Sequence, residues 1–248
     1  MTVRRRELLA GTALALLGRH AHAGIIAGQL PWAPDAGSPP EPVRPGPWQF
    51  FSAQEAAAVE ALAERIIPAD PQTPGGREAG CAVFLDRQLA GAYGRAAGLY
   101  DRGPFQQGLE QQGPQSPLTP AQLYRSGLAA LERYCREPVA PAGAAADNSA
   151  FAALASARQD ALLAAMESGT LPLSGVDVRH FFETLLKDVQ QGFFADPIYG
   201  GNRDMCAWKM IGFPGARYDY RDWVGRHNER YPRPPVSLLG RAAWTPRR

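Results

Sequence analysis

The sequence predicts a mainly α-helical fold: one helical domain, preceded by a proline-rich extended arm and ending in a loop-rich C-terminus. Three observations carry this expectation. Apolar residues recur at helical spacing in several segments, two of those segments open on capping signatures, and no run of alternating β-branched residues competes with them. With 248 residues, 45% hydrophobic and 20% charged, the chain can bury a core in one large or two small domains and is neither disordered nor fibrous.

Residues 1–23 read as an export address. Arg5-Arg6 is followed by Leu8 and Leu9 and a short Ala- and Gly-diluted apolar run, too short to span a bilayer with margin. Ala21 and Ala23 stand at the two positions that a signal peptidase reads, so a cleaved twin-arginine signal is expected, with an uncleaved anchor as the alternative. That route carries folded proteins to the bacterial periplasm. Residues 24–49 hold seven prolines between Pro31 and Pro47 and no apolar period, so they are expected as an arm that could lie on a partner through Trp32 and Trp48.

The helical domain is expected over 50–248. Ser52 and Glu55 form a capping box, Val59, Leu62, Ala63, Ile66 and Ile67 share one face, and Pro68 stops the helix. After a turn at Pro71–Gly76, Val83, Phe84 and Leu89 form a stripe around Asp86 and Arg87. Residues 98–117 read as loop. Thr119-Pro120-Ala121-Gln122 then opens a helix through Leu123, Leu128, Leu131 and Tyr134. Residues 138–146 form a surface connection, and helical period returns at Ala150–Met166 with Phe151, Leu154 and Leu162 apolar. A last strong helix covers Val176–Phe194 with Phe181, Phe182, Leu185, Leu186, Val189 and Phe193.

Charge excludes one class of partner. The formal +2 resides at the N-terminus; without residues 1–23, 22 basic residues face 23 acidic ones, so no basic field remains to draw nucleic acid. Cys81, Cys135 and Cys206 all follow the signal, and in an oxidising compartment one of the three is left over, as a buried thiol or as a bridge to another chain. No cysteine or histidine spacing suits a metal or haem, and no Gly-x-Gly-x-x-Gly turn follows a strand, so no cofactor is expected in this chain.

The most unusual stretch is Asp196-Pro197-Ile198-Tyr199-Gly200-Gly201-Asn202-Arg203-Asp204, with Trp208, Lys209 and Gly212-Phe213-Pro214-Gly215 close behind. Turn formers that permit positive φ beside arginine and aromatic side chains suit either an interface or a rigid plug on a helix bundle. Asp177, Glu183 and Asp188 are expected to cap or face solvent. His180 has no nucleophile in a local motif, and no catalytic residue is assigned.

The twin-arginine leader, the block from Glu55 through Ile66-Ile67-Pro68-Ala69-Asp70 to Gly80, and the block from Gly192 through Asp196–Asp204 to Gly215 together resemble the small (gamma) subunit, subunit 3, of gluconate 2-dehydrogenase and related periplasmic flavin-dependent dehydrogenases. The resemblance covers most of residues 50–216. It implies a non-catalytic chain that escorts an FAD-containing large dehydrogenase subunit through the twin-arginine translocase and stabilises it. A multihaem cytochrome c subunit would pass electrons to the membrane, so FAD and haem c are expected in partners. On this resemblance the candidate interface is Asp196, Pro197, Tyr199, Gly200, Gly201, Asn202, Arg203 and Trp208 with Trp32 and Trp48, and Cys135 or Cys206 is a candidate for a disulfide with the large subunit. The alternatives are a free-standing periplasmic enzyme using the 196–204 loop with His180, and a binding or scaffold protein.

Overall fold

The computed structural model describes residues 42–98, 103–106, 108–112, 115–136, 149–217 and 220–238; the export address, Trp32 and residues 138–146 lie outside them. Pro42–Ser237 form one body. Six α-helices are present: α1 (Ala53–Ile66), α2 (Cys81–Ala90), α3 (Pro120–Arg136), α4 (Ser156–Glu167), α5 (Val178–Phe194) and α6 (Cys206–Ile211). Among the described residues there is no strand, only an isolated bridge between Gly215 and Val236. The mainly α expectation holds.

The capping signatures act as read. The Ser52 hydroxyl accepts from the Glu55 N–H at 3.2 Å while the Glu55 carboxylate accepts from the Ser52 N–H at 2.8 Å. Burial pushes the Glu55 carboxyl up, but hydrogen bonds from Arg125 and Ser52 outweigh it and hold the group below its usual value. Thr119 and Gln122 exchange the same pair of bonds at the start of α3, at 2.9 and 3.3 Å.

Helix α5 is the axis of the body and packs on α1, α2, α3, α4 and α6. Phe181, Leu185, Val189 and Phe193 fall on its inner face and are buried with Leu62 of α1, Leu85 of α2, Leu128 and Leu131 of α3 and Met166 of α4. Each such side chain contributes about 1.5–3 kcal/mol when fully removed from water.

The expected helix over Ala150–Met166 is broken. A 3₁₀ turn at Phe151–Ala153 is followed by extended backbone at Leu154 and Ala155, and α4 begins only at Ser156. The reason is lateral bonding: the Phe151 N–H donates to Glu132 of α3 at 3.2 Å and its carbonyl accepts from the Gln159 amide at 2.9 Å, with the ring fully buried. Those bonds hold Phe151 between two helices instead of inside one.

Besides Glu132, two aspartates are interior. Asp86, on the apolar face of α2, accepts from the backbone N–H groups of Gln49, Phe50 and Phe51 at 2.9 Å each and pairs with Arg87. It thereby fixes the end of the arm to the domain, and Trp48 packs half-buried beside Phe51 at 6.5 Å. Asp188, expected to face solvent, is buried on α5 and accepts from the Tyr93 hydroxyl at 2.7 Å and the Tyr124 hydroxyl at 3.0 Å. Burial pushes its carboxyl above the usual range, and the two phenol bonds offset only part of this.

Candidate functional site

Beyond the C-terminus of α5 the chain makes a succession of tight turns. Asp196 accepts from the Ile198 N–H at 3.0 Å and from the Ser237 hydroxyl at 2.6 Å, opening a 3₁₀ turn at Pro197–Tyr199. Gly200 follows at φ +95°, where a Cβ would come within 2.8 Å of Val43 and 3.0 Å of Val83. Gly201 lies against the backbone of α5, and a Cβ there would collide with the Gly192 carbonyl, so glycine at both positions is a condition of close approach.

Asn202 then latches the two helices. It is fully buried, at φ +45°; its side-chain amide donates to the Ala195 carbonyl at 2.8 Å and its carbonyl accepts from the Ala207 N–H at 2.9 Å. One bond reaches back to the end of α5 and the other forward into α6. Asp204 and Met205 are also left-handed, at φ +53° and +56°, so three non-glycine residues in four positions hold a backbone conformation that L side chains rarely adopt. The gain offsetting that strain is the placement of α6.

The loop after α1 meets this turn cluster. Arg203 N–H donates to the Ala79 carbonyl at 3.1 Å, and Gly80 is close enough to Gly200 that a Cβ on it would sit 2.7 Å from the Gly200 carbonyl. The two loops border an open cleft of about 770 Å³, lined among others by Asp70, Thr73, Glu78, Arg203, Cys206 and Lys209. On the rim of α6 stand three exposed apolar residues, Met210 (48% exposed), Ile211 (57%) and Phe213 (44%), with Tyr199 and Phe194 also exposed on the same stretch. Solvent-facing apolar side chains gathered beside charged ones mark a surface that another molecule covers.

The expected interface residues divide. Tyr199 and Arg203 are exposed, and Asp196 and Pro197 are half-buried. Gly200, Gly201 and Asn202 are buried and shape the loop rather than present it. Trp208 is likewise engaged inside the chain: its indole N–H donates to the Phe194 carbonyl at 2.8 Å and its ring meets Phe213 edge-on at 5.1 Å. Trp48 is shared with the core, and Trp32, Arg5, Arg6, Leu8, Leu9, Ala21 and Ala23 lie outside the described residues.

Of the two cysteines proposed for an intersubunit bridge, Cys135 is buried on the inner face of α3, away from any surface a second chain could touch. Cys206 is half-buried and lines the cleft. Burial raises its thiol, so it stays protonated near neutral pH and is not an activated nucleophile. Cys81 behind it is fully buried and is pushed up to about 12, chiefly by burial.

His180 and the 196–204 loop, paired in the free-standing enzyme alternative, stand at opposite ends of α5, about 20 Å apart at 1.5 Å per residue. The fold does not bring them together. Among the described residues no group of His, Cys, Asp and Glu side chains could hold a metal ion, and no helix is long and apolar enough to cross a membrane. Sequence reasoning missed Asp86, Asp188 and the C-terminal segment that lies along α6.

No curated protein and no solved structure matches the chain. The model of one protein family, described as gluconate 2-dehydrogenase subunit 3, matches residues 53–215. That span starts with α1 and ends at the turn after α6, so it contains both loops of the cleft. This chain belongs to the gluconate 2-dehydrogenase subunit 3 family, named for a subunit of a dehydrogenase complex.

Proposed function

We propose that this chain is the non-catalytic small subunit of a periplasmic, membrane-associated, FAD-dependent dehydrogenase of the gluconate 2-dehydrogenase type. It binds the folded flavoprotein, stabilises it, and supplies through Arg5 and Arg6 the address that takes both across by the twin-arginine translocase. A cytochrome c subunit completes the complex and carries the electrons onward. Flavin and haem then belong to the partners.

One observation supports this reading above the others. Two loops more than a hundred residues apart, both inside the family span, meet through Arg203 and Ala79 and build a single face with a charged cleft and an apolar rim. That face has the composition of an interface and lacks an activated nucleophile. A double change, Arg5→Lys with Arg6→Lys, tests the escort role by cell fractionation. Both chains are expected to stay in the cytoplasm; a flavoprotein that still reaches the periplasm contradicts it.

A further inference from the structure

The last described segment doubles back onto α6. Ala216 N–H donates to the Val236 carbonyl at 2.7 Å, Val236 N–H donates to the Pro214 carbonyl at 3.2 Å, and the Arg217 guanidinium donates to the Pro234 carbonyl. Residues 230–235 are thereby laid beside Trp208 and Phe213, and the two walls border a second pocket of about 380 Å³. Trp208, Phe213 and Tyr231 give it aromatic walls, and Lys209, Arg230 and Arg233 give it three cations.

No carboxylate lines the pocket, and none of the three cations has an ion pair among the described residues, since the nearby Glu229 is taken by Arg226 at 3.8 Å. A fourth cation lies behind the wall. The Arg217 guanidinium sits 5.3 Å from the centre of the Tyr231 ring, and its buried Nε has no hydrogen-bond partner, nor has the buried Tyr231 hydroxyl.

We propose that this pocket docks an acidic segment of the flavoprotein subunit, one that presents carboxylates beside an apolar side chain. The identity of the partner rests on the function proposed above; the chemistry of the segment rests on the pocket. Four cations with no ion pair among the described residues are complementary to an anionic surface. Prolines at 232, 234 and 235 remove backbone N–H donors from one wall. A nest of amides for a phosphate is therefore not built there, and the positive charge of the side chains is what the pocket offers an anion.

Size argues for a polypeptide over a small anion. Ile211, one helical turn beyond Trp208 on α6, is 57% exposed and extends the Trp208 and Phe213 wall as an apolar rim that only a larger occupant covers. Moreover, residues 230–235 lie outside the 53–215 span of the family. Half of the pocket thus belongs to this chain's own C-terminal segment, which suits it to selecting the cognate flavoprotein among related ones.

The test is co-purification of the flavoprotein with the tagged full chain from its native host, comparing wild type with a chain carrying Lys209→Glu, Arg230→Glu and Arg233→Glu together. Recovery of the flavoprotein is expected to fall at least about tenfold for the reversed chain. It should stay near wild type for Lys209→Arg with Arg230→Lys and Arg233→Lys, which keep the charge, and thermal melts report whether each chain is folded. If the reversed chain does not fold, the wild-type complex decides: its recovery should fall steeply as salt is raised. Equal recovery by a folded reversed chain, or salt-insensitive recovery by wild type, overturns the docking site and leaves the subunit reading standing. A wild-type chain recovered with no flavoprotein overturns both.

Discussion

Replacing Asn202 with alanine removes a fully buried side chain that ties the end of α5 to the start of α6, beside the separate tie from the Trp208 indole to Phe194. The Ala195 carbonyl and the Ala207 N–H each lose a bond, of 2.8 and 2.9 Å, in a place where Asn202 itself is 0% exposed. Leaving a buried backbone group unsatisfied costs about 1–3 kcal/mol, so the pair costs about 2–6 kcal/mol. Alanine must also hold φ near +45°, which asparagine tolerates better, for about 1 kcal/mol more. The sum is roughly 3–7 kcal/mol, and at about 2–4 °C per kcal/mol for a body of this size the melting temperature should fall by at least about 6 °C. Far-ultraviolet circular dichroism melts of the purified chain measure it. Asn202→Gly relieves the backbone but not the bonds and should recover only about 1 kcal/mol. Asn202→Asp keeps the acceptor for Ala207 but sets a carboxylate against the Ala195 carbonyl, and should be no better than alanine. An Asn202→Ala chain melting within about 2 °C of wild type would refute the latch.

Three further outcomes follow from the same geometry. Asp188 has a raised folded-state pKa, so the native state holds that proton more tightly than the unfolded chain does; its contribution to stability is full below the unfolded value and is lost as pH rises through the folded one. Relative to Asp188→Asn, wild type should therefore lose stability as pH rises above the ordinary aspartate value of about 4 in urea titrations, and a pH-independent difference would contradict the assignment. Gly201→Ala forces a Cβ into the Gly192 carbonyl and should destabilise the chain by more than about 2 kcal/mol, whereas Gly212→Ala, which meets nothing within 4 Å but sits at φ +71°, should cost about 1–2 kcal/mol. A thiol reagent should label Cys206 in the folded chain and Cys81 and Cys135 only after denaturation, as read by mass spectrometry; early labelling of Cys135 would show that α3 is not packed as described.

The sequence carried the helices because their signals are local. The Ser52–Glu55 and Thr119–Gln122 boxes and the apolar faces of α1, α3 and α5 are decided within a few turns of chain. Asp86 and Asp188 were missed as buried acids, although position, unlike residue type, marks them. Asp86 shares a face with Ala82, Leu85 and Leu89, and Asp188 shares one with Phe181 and Leu185, so helical spacing alone points both side chains inward. What could not be read was their partners, because the amides of Gln49–Phe51 and the phenols of Tyr93 and Tyr124 arrive from distant segments. The break at Phe151 has the same origin, in bonds to Glu132 and Gln159 on neighbouring helices.

The candidate face was half legible. Turn chemistry marked Gly200, Gly201 and Asn202, and left-handed backbone at Gly200 and Asn202 is what they supply. Yet composition could not tell a residue that shapes a loop from one that meets a partner, which is why Trp208 reads as an anchor and proves to be a pin beneath Phe194. The second wall at Arg230–Pro235 has no local signal. It becomes a wall only because Val236 bridges to Gly215.

The central claim, that this chain is the partner-binding small subunit of a flavin-dependent dehydrogenase, is tested most directly by purifying the tagged full-length chain from the periplasm of its native host and recording an absorption spectrum of what elutes. A flavin spectrum that travels in fixed ratio with a second, larger chain is the result the account predicts. A colourless chain that elutes alone would contradict it.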